Sequence, residues 1–263
     1  MKQLLTLALA CLLFTGCKKD SEKTTEETTE TTVTENSTLA FTTKDYGQRS
    51  KVGCRGGDCT NVNISIPIAG GIPVVSDSIN KKIFNVTRSI VYFGEKPTNA
   101  KSYEEIMASF IKSYEELQKD FAESFPWEAK IKATVDYQSD SIINIKLNNY
   151  MFTGGAHGYG SDLSLIFNAQ TGKSLTYADI FNDKKAFTAF AEKKFREKFK
   201  IPAGKSINST GLMFENDKFI LPQNIFYKEN GLLLLYNPYE MASYADGAKE
   251  LLLPYGEIKE YLK

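Results

Sequence analysis

The residues best suited to chemistry lie in one glycine-rich stretch around His157, the single histidine of this 263-residue chain. Glycines at positions 154, 155, 158 and 160 flank it and allow backbone conformations that other residues rarely adopt. An imidazole in such a loop could act as a general base, contact a ligand, or hydrogen-bond to neighbouring backbone and fix the loop. The pattern favours the structural role over ligand contact, and ligand contact over catalysis.

Ser161 and Asp162, a potential nucleophile and a potential acid, come shortly after His157 in the sequence. A serine triad needs its nucleophile, base and orienting acid to converge in space. No Gly-x-Ser-x-Gly turn is present, and adjacent positions of a strand direct their side chains to opposite faces. The glycines also lack the Lys-Ser/Thr pair of a phosphate-binding loop. We therefore predict no catalytic residue in this stretch.

Metal and nucleic-acid chemistry are limited by composition. The whole chain has one histidine and four cysteines, so the sequence predicts no metal site and no cofactor. Basic and acidic residues are equal in number, at 32 each. A nucleic-acid-binding protein shows a basic excess or a basic stripe, so we expect no nucleic-acid partner.

A second group of candidate binding residues surrounds Glu240. Tyr239 and Tyr244 combine apolar area with a polar tip, so they could stack on sugar rings or anchor a protein interface. They could equally pack a long loop against a sheet. Glu240 could pair with a cation of a partner or cap a helix. The predicted ligand-binding residues are thus His157, Tyr239, Glu240 and Tyr244.

Two cysteines, Cys54 and Cys59, frame the turn-forming residues Arg-Gly-Gly-Asp ahead of a strand-like pattern. An exported protein meets an oxidising compartment, so we predict a disulfide that closes a hairpin turn. Such a bond is worth about 2 kcal/mol in the chain-entropy account. The alternative is a redox pair, but the spacing differs from the Cys-x-x-Cys of thiol oxidoreductases.

The N-terminus has the features of a bacterial export signal. Lys2 precedes an apolar run, Leu4–Phe14, that is too short to span a bilayer. The next residues resemble a lipobox, so residues 1–17 are predicted to be a lipoprotein signal peptide ending at a lipidated Cys17, with ordinary cleavage nearby as the alternative. Residues 18–40, rich in Thr and Glu, are predicted to be a disordered tether. We expect an extracytoplasmic, membrane-anchored lipoprotein, periplasmic or on the cell surface, with the lipid as its only membrane contact.

Helical and strand-like patterns alternate through the rest of the chain. Apolar residues at helical spacing predict helices capped by Asp77 and Ser102 and a third from about Asp183 to Phe199. Alternation of apolar and polar residues predicts strands over 127–137, 143–147 and 163–167, and further strand-like runs at 219–221 and 232–236. The predicted fold class is α+β, with helices packed on an antiparallel meander sheet. Two helix-then-strands halves are expected, at residues 41–152 and 153–263.

Two motif blocks occur in an order that resembles a bacterial extracytoplasmic family. The first is Thr153–Gly158 with Phe167–Leu175 and Asp179–Phe181, and the second is Asn237–Gly247 with Leu253–Tyr255. The resemblance is to the paired domains of unknown function in the RsiV-like and PdaC-like envelope family. It covers residues 41–263 and implies an α+β ectodomain located in the cell envelope.

The resemblance implies more than one activity. RsiV-like members are lysozyme-sensing anti-sigma factors with a transmembrane helix, whereas this chain has a lipoprotein-type signal. The PdaC-like deacetylase carries a separate metal-dependent domain that needs two histidines and an aspartate, and His157 stands alone. We therefore predict a non-catalytic cell-envelope lipoprotein that binds a lysozyme-like protein or a cell-wall glycan such as a peptidoglycan fragment. The alternative is an envelope carbohydrate hydrolase whose acidic residues cannot be identified from sequence.

Overall fold

The computed structural model describes residues 38–263, so the predicted signal peptide, Cys17 and most of the predicted tether lie outside the described residues. The strands of the described part are β1 (Ala40–Arg49), β2 (Asn61–Gly70), β3 (Glu128–Gln138), β4 (Ile142–Phe152), β5 (Tyr159–Asn168), β6 (Asn224–Lys228), β7 (Gly231–Tyr236) and β8 (Lys249–Pro254). Its α-helices are α1 (Pro73–Ile90), α2 (Tyr103–Asp120), α3 (Tyr177–Ile180), α4 (Lys184–Lys198) and α5 (Tyr255–Ile258). None of these helices is long and apolar enough to cross a bilayer.

The first five strands form one sheet in the spatial order β1-β2-β3-β4-β5. Strands β3, β4 and β5 make the predicted antiparallel meander, and β1 and β2 make an antiparallel hairpin. Strands β2 and β3 run parallel, because helices α1 and α2 carry the chain back along the sheet between them. The fold is therefore α+β, as predicted, with one parallel pair in an otherwise antiparallel sheet.

Helices α1 and α2 share a core with one face of this sheet. Strand β3 alternates buried and exposed residues as its sequence predicts, and its buried Ala129 and Ile131 belong to that core. Trp127, directly before β3, is 1% exposed and packs against Phe110 and Tyr114 of α2 at centroid distances of 5.5 Å. Burial of these aromatic rings stabilises the packing of the helices on the sheet.

Helices α2 and α4 begin at the capping residues that the sequence predicts, whereas α1 begins elsewhere. Ser102 caps α2 as predicted, since its hydroxyl accepts the backbone N–H of Glu105 at 3.2 Å. The Asp183 carboxylate caps α4 by accepting an N–H of the first turn at 2.9 Å. Asp77 is not a cap: α1 begins earlier, at Pro73, whose fixed φ and missing N–H suit a first helical position. The prediction at Asp77 was wrong because this proline signal outweighed it.

The predicted disulfide is present and joins Cys54 to Cys59 in the turn between β1 and β2. Inside the ring, Arg55 and Asp58 exchange backbone hydrogen bonds of 2.7 and 2.9 Å. The disulfide therefore closes a turn that the backbone hydrogen bonds between Arg55 and Asp58 also hold together.

A second core lies between α4 and the three-stranded sheet β6-β7-β8. The predicted strand at 219–221 is wrong, since no strand forms there. Phe219 instead packs against Phe195 and Tyr236 from an irregular segment. Pro222 follows and offers no N–H to a strand ladder, which is consistent with the irregular backbone.

Asparagine side chains tie the five-stranded sheet to the rest of the chain. Asn224 accepts the backbone N–H of Ser164 on β5 at 2.9 Å, and Asn144 of β4 accepts the N–H of Tyr227 on β6 at 2.8 Å. The predicted boundary between residues 152 and 153 falls in the loop between β4 and β5, and β5 lies in the first sheet.

Candidate binding site

The loop between β4 and β5 positions His157, and glycine makes its path possible. Gly154 and Gly155 have φ values of 104° and 88°, in the region that favours glycine. A Cβ atom at Gly158 would lie 2.3 Å from the hydroxyl oxygen of Tyr150. A side chain at position 158 would therefore displace the ring of Tyr150.

His157 is exposed, and its contacts fix the orientation of its ring. Its Nδ1 lies 2.8 Å from the carbonyl oxygen of Gly158, and a carbonyl can only accept, so Nδ1 carries the proton in this contact. The ring stacks on Tyr244, with centroids 4.4 Å apart and planes 16° apart. Tyr244 also donates its hydroxyl hydrogen to the Gly158 carbonyl over 3.3 Å. These contacts hold the His157 ring against its own loop and against Tyr244, while the ring remains at the surface.

Two further tyrosines continue this stack. Tyr239 lies 5.5 Å from Tyr244 between ring centroids, and Tyr159 lies 6.2 Å from Tyr239 with planes 24° apart. Tyr239, Tyr159 and Tyr244 are 58%, 40% and 37% exposed. We call His157, Tyr244, Tyr239 and Tyr159 the aromatic ladder. It brings together three of the predicted binding residues, and Tyr159 is an addition.

A tight turn presents Tyr239 at the surface. Its φ is +68°, and its backbone N–H donates to the carbonyl of Ala242 at 3.1 Å. The turn is fastened to β5 by the Asn237 side chain, which accepts the Asp162 N–H at 2.8 Å and donates to the Asp162 carbonyl at 2.9 Å. The side-chain amide of Asn237 therefore pairs with backbone groups of β5 that a neighbouring strand would otherwise pair at this edge of the sheet.

Glu240, the fourth predicted residue, lies beside the ladder. Its carboxylate oxygens accept the backbone N–H groups of Gln223 at 2.6 Å and of Asn237 at 2.9 Å. Burial raises the pKa of Glu240 above its usual range, although these two hydrogen bonds act in the opposite direction. Burial, and then the Glu240 charge, likewise raise the pKa of Tyr159.

A surface pocket of about 260 Å³ opens at this point. Its walls come from β5, from the turn that carries Tyr239, and from the segment before β6; the lining residues are Tyr159, Ser161, Leu163, Gln223, Asn237, Pro238, Tyr239 and Glu240. Polar and aromatic groups therefore converge on one cavity next to the ladder.

Ser161 and Asp162 have other partners. The Ser161 hydroxyl accepts the side-chain N–H of Asn149 at 2.8 Å. Asp162 pairs with the Lys146 ammonium at 2.8 Å and accepts the amide of Asn148 at the same distance. These contacts give both side chains structural roles in the sheet.

Sequence reasoning missed Tyr159 and the backbone donors of Gln223 and Asn237. Tyr159 could have been found, because it follows His157 closely and starts a strand. The Asn237–Asp162 and Glu240–Gln223 contacts have no local signal, since each joins segments far apart in the chain.

Two family models match successive regions of the chain. The model described as Deacetylase PdaC matches residues 55–159, and the model for a protein of unknown function, DUF3298, matches residues 178–256. They confirm the predicted resemblance to paired PdaC-like domains. The ladder draws on both regions, with two rings from each. No curated protein matches the chain significantly.

Solved structures of the second family share the fold. A DUF3298 family member from Bacteroides fragilis aligns with a TM-score of 0.66 and 20% identity, over 86% of this chain and 94% of its own. A DUF3298 family protein from Pseudomonas aeruginosa aligns with a TM-score of 0.60 and 23% identity, over 85% of this chain and 95% of its own. At these identities the likeness establishes the fold.

The residues present do not fit the metal site expected of a PdaC-like deacetylase. Within residues 38–263 no group of three or more His, Cys, Asp or Glu side chains is placed to hold a metal ion. No metal-dependent step follows from this arrangement.

Proposed function

We propose that this chain, which carries a PdaC domain followed by a DUF3298 domain, is a non-catalytic binding protein of the cell envelope that recognises a lysozyme-like protein. The aromatic ladder carries the proposal. Four rings from two distant segments stack at the surface, three of them tyrosines that are at least 37% exposed. Tyrosine is enriched at the centres of protein interfaces because it offers large, rigid, amphipathic contact area.

The stacking of the rings favours a protein partner over a glycan. A sugar is bound by an open ring face, but His157 and Tyr244 turn one face of each ring toward the other at 4.4 Å. The exposed tyrosines also carry hydroxyl groups beside their apolar rings, which suits the mixed polar and apolar contacts of a protein interface. The RsiV-like resemblance adds a lysozyme-like protein as the specific partner.

The contacts around the ladder support a non-catalytic role. The Ser161 hydroxyl bonds to Asn149 and the Asp162 carboxylate pairs with Lys146, whereas the hydrogen bond of His157 goes to the Gly158 carbonyl rather than to either of them. A nucleophile, base and acid do not converge on one point among these residues.

Calorimetric titration of the purified protein with several lysozymes and with muropeptides tests the proposal. We expect heat of binding with a lysozyme and no turnover. Heat with muropeptides alone would favour the glycan ligand, and no heat with either would refute binding. Steady release of reducing sugar that is lost on substitution of a single Asp or Glu would establish the hydrolase alternative.

The envelope location is part of the same proposal and depends on Cys17. The lipobox-like sequence before it supports lipidation and membrane anchoring. Cys17→Ser should release the protein from the membranes of its native host. Equal membrane partitioning of the variant and the wild type would contradict the anchor.

A further inference from the structure

The pocket beside the aromatic ladder has a carboxylate without a cationic partner. Glu240 takes part in none of the ion pairs found in the described part of the chain. No lysine or arginine lines this pocket, so Glu240 gives it a net negative charge. Two backbone N–H groups offset part of the cost of burying this charge, and a cationic ligand would offset more of it.

The other groups around the pocket also suit a cation. The rings of Tyr159 and Tyr239 contribute to its wall, and a cation within about 6 Å of such a ring is attracted to its face. The carbonyl of Pro238 lies beside them and accepts a hydrogen bond from the Tyr159 hydroxyl over 3.4 Å. Carboxylate, carbonyl and ring face are the groups that bind an ammonium or a guanidinium.

We propose that this pocket receives a lysine or arginine side chain of the protein partner, with its charge beside Glu240 and its stem against Tyr159 and Tyr239. The inference rests on the proposed function for the identity of the partner. The ladder supplies contact area, whereas the pocket selects a partner with a protruding basic residue at the matching position.

Glu240 also has a structural role, which the test must separate from binding. Its two hydrogen bonds to Gln223 and Asn237 hold the turn in place. Those two backbone amides are direct reporters, because a cation that approaches the carboxylate changes the environment of both N–H groups.

The probes are N-acetyl-lysine methylamide and N-acetyl-norleucine methylamide, which differ only in the terminal ammonium. Each is titrated into the ¹⁵N-labelled protein while the amide resonances of Gln223 and Asn237 are followed. We expect saturable shifts with the lysine probe, none with the norleucine probe, and binding about tenfold weaker in Glu240→Gln. Glu250→Gln removes an exposed carboxylate from β8 as the matched control and should bind the lysine probe like the wild type.

Tyr159→Leu keeps Glu240 and its backbone bonds, so it tests the pocket even if Glu240→Gln loosens the turn. It should weaken binding of the lysine probe at least threefold. Equal shifts with both probes, or no shift with the lysine probe, would overturn the inference. If a lysozyme still binds in that case, the proposed function stands without the pocket. If the lysine probe binds but no lysozyme does, the cation site stands and the assigned partner is wrong.

Discussion

The imidazole of His157 lies flat against the phenol ring of Tyr244, with ring centroids 4.4 Å apart. The first residue lies in the region matched by the PdaC model and the second in the region matched by the DUF3298 model. Tyr244 also hydrogen-bonds to the carbonyl of Gly158, so one tyrosine holds the loop by two contacts. The aromatic ladder therefore links the two regions as well as forming the proposed binding surface.

The first prediction concerns the energy of this stacked pair. Each single variant, His157→Ala or Tyr244→Ala, already removes the stacking. We therefore expect the loss in the free energy of unfolding of the double variant to differ from the sum of the two single losses by about 0.5–1.5 kcal/mol. Urea denaturation of the wild type, both single variants and the double variant measures the coupling. Effects that add within about 0.3 kcal/mol would show that the contact contributes nothing to stability.

The second prediction concerns binding by Tyr239. Tyr239 is the most exposed tyrosine of the ladder, so its truncation should cost partner contact more than folding. Tyr239→Ala should weaken binding to a lysozyme by at least about tenfold, the loss expected for an aromatic residue at the centre of an interface. Calorimetric titration measures it.

Leu252→Ala is the control for Tyr239→Ala, because Leu252 is an exposed apolar residue on β8. Its affinity for the lysozyme should equal that of the wild type. Equal losses in the two variants would mean that the ladder is not the contact surface.

The starts of α2 and α4 and the meander could be predicted because their signals are local. Ser102 with its downstream glutamate defines the start of α2, and the alternation along β3 defines its buried face. The parallel pairing of β2 with β3 could not be predicted in this way. It depends on the crossover through two helices, and nothing near either strand specifies the partner.

The candidate binding residues could be picked out from the sequence, but the way they come together could not. Glycines around His157 and the tyrosines near Glu240 stand out in the sequence, yet nothing local indicates that His157 stacks on Tyr244. The two rings come from distant segments, and the Asn237 side chain fastens the turn before Tyr244 to β5. Long-range amide contacts of this kind have no periodicity and therefore leave no sequence pattern.

The third prediction concerns that Asn237 amide. Asn237→Ala removes two hydrogen bonds and leaves the backbone N–H and carbonyl of Asp162 without their partner. We expect the free energy of unfolding to fall by about 1–3 kcal/mol, the cost of unsatisfied polar groups. Binding to a lysozyme should weaken too, since the turn carries Tyr239.

Urea denaturation and calorimetric titration measure the two effects of Asn237→Ala. Asn99→Ala, at an exposed position between α1 and α2, is the matched control and should leave both quantities unchanged. Wild-type stability in Asn237→Ala would contradict the fastening role.

The fourth prediction concerns pH and Asp179. The hydrogen bond from the Lys173 ammonium at 2.6 Å, and then those from the Thr176 hydroxyl and N–H, hold the pKa of Asp179 well below its ordinary value of 3.8. A carboxyl whose pKa is lowered by folding contributes stability that is present above its unfolded pKa and lost as pH falls through its folded pKa. Asp179→Asn should therefore be less stable than the wild type at neutral pH. The difference should shrink steadily as the pH falls below 3.8.

Urea denaturation of both proteins between pH 7 and pH 2 tests this dependence on Asp179. Asp140→Asn, at an exposed position in the turn between β3 and β4, controls for the loss of one negative charge. Because the side chain of Asp140 is exposed to solvent, its replacement should give no such difference at neutral pH. A stability gap between wild type and Asp179→Asn that stays constant from pH 7 to pH 2 would mean that the charge of Asp179 adds nothing to the fold.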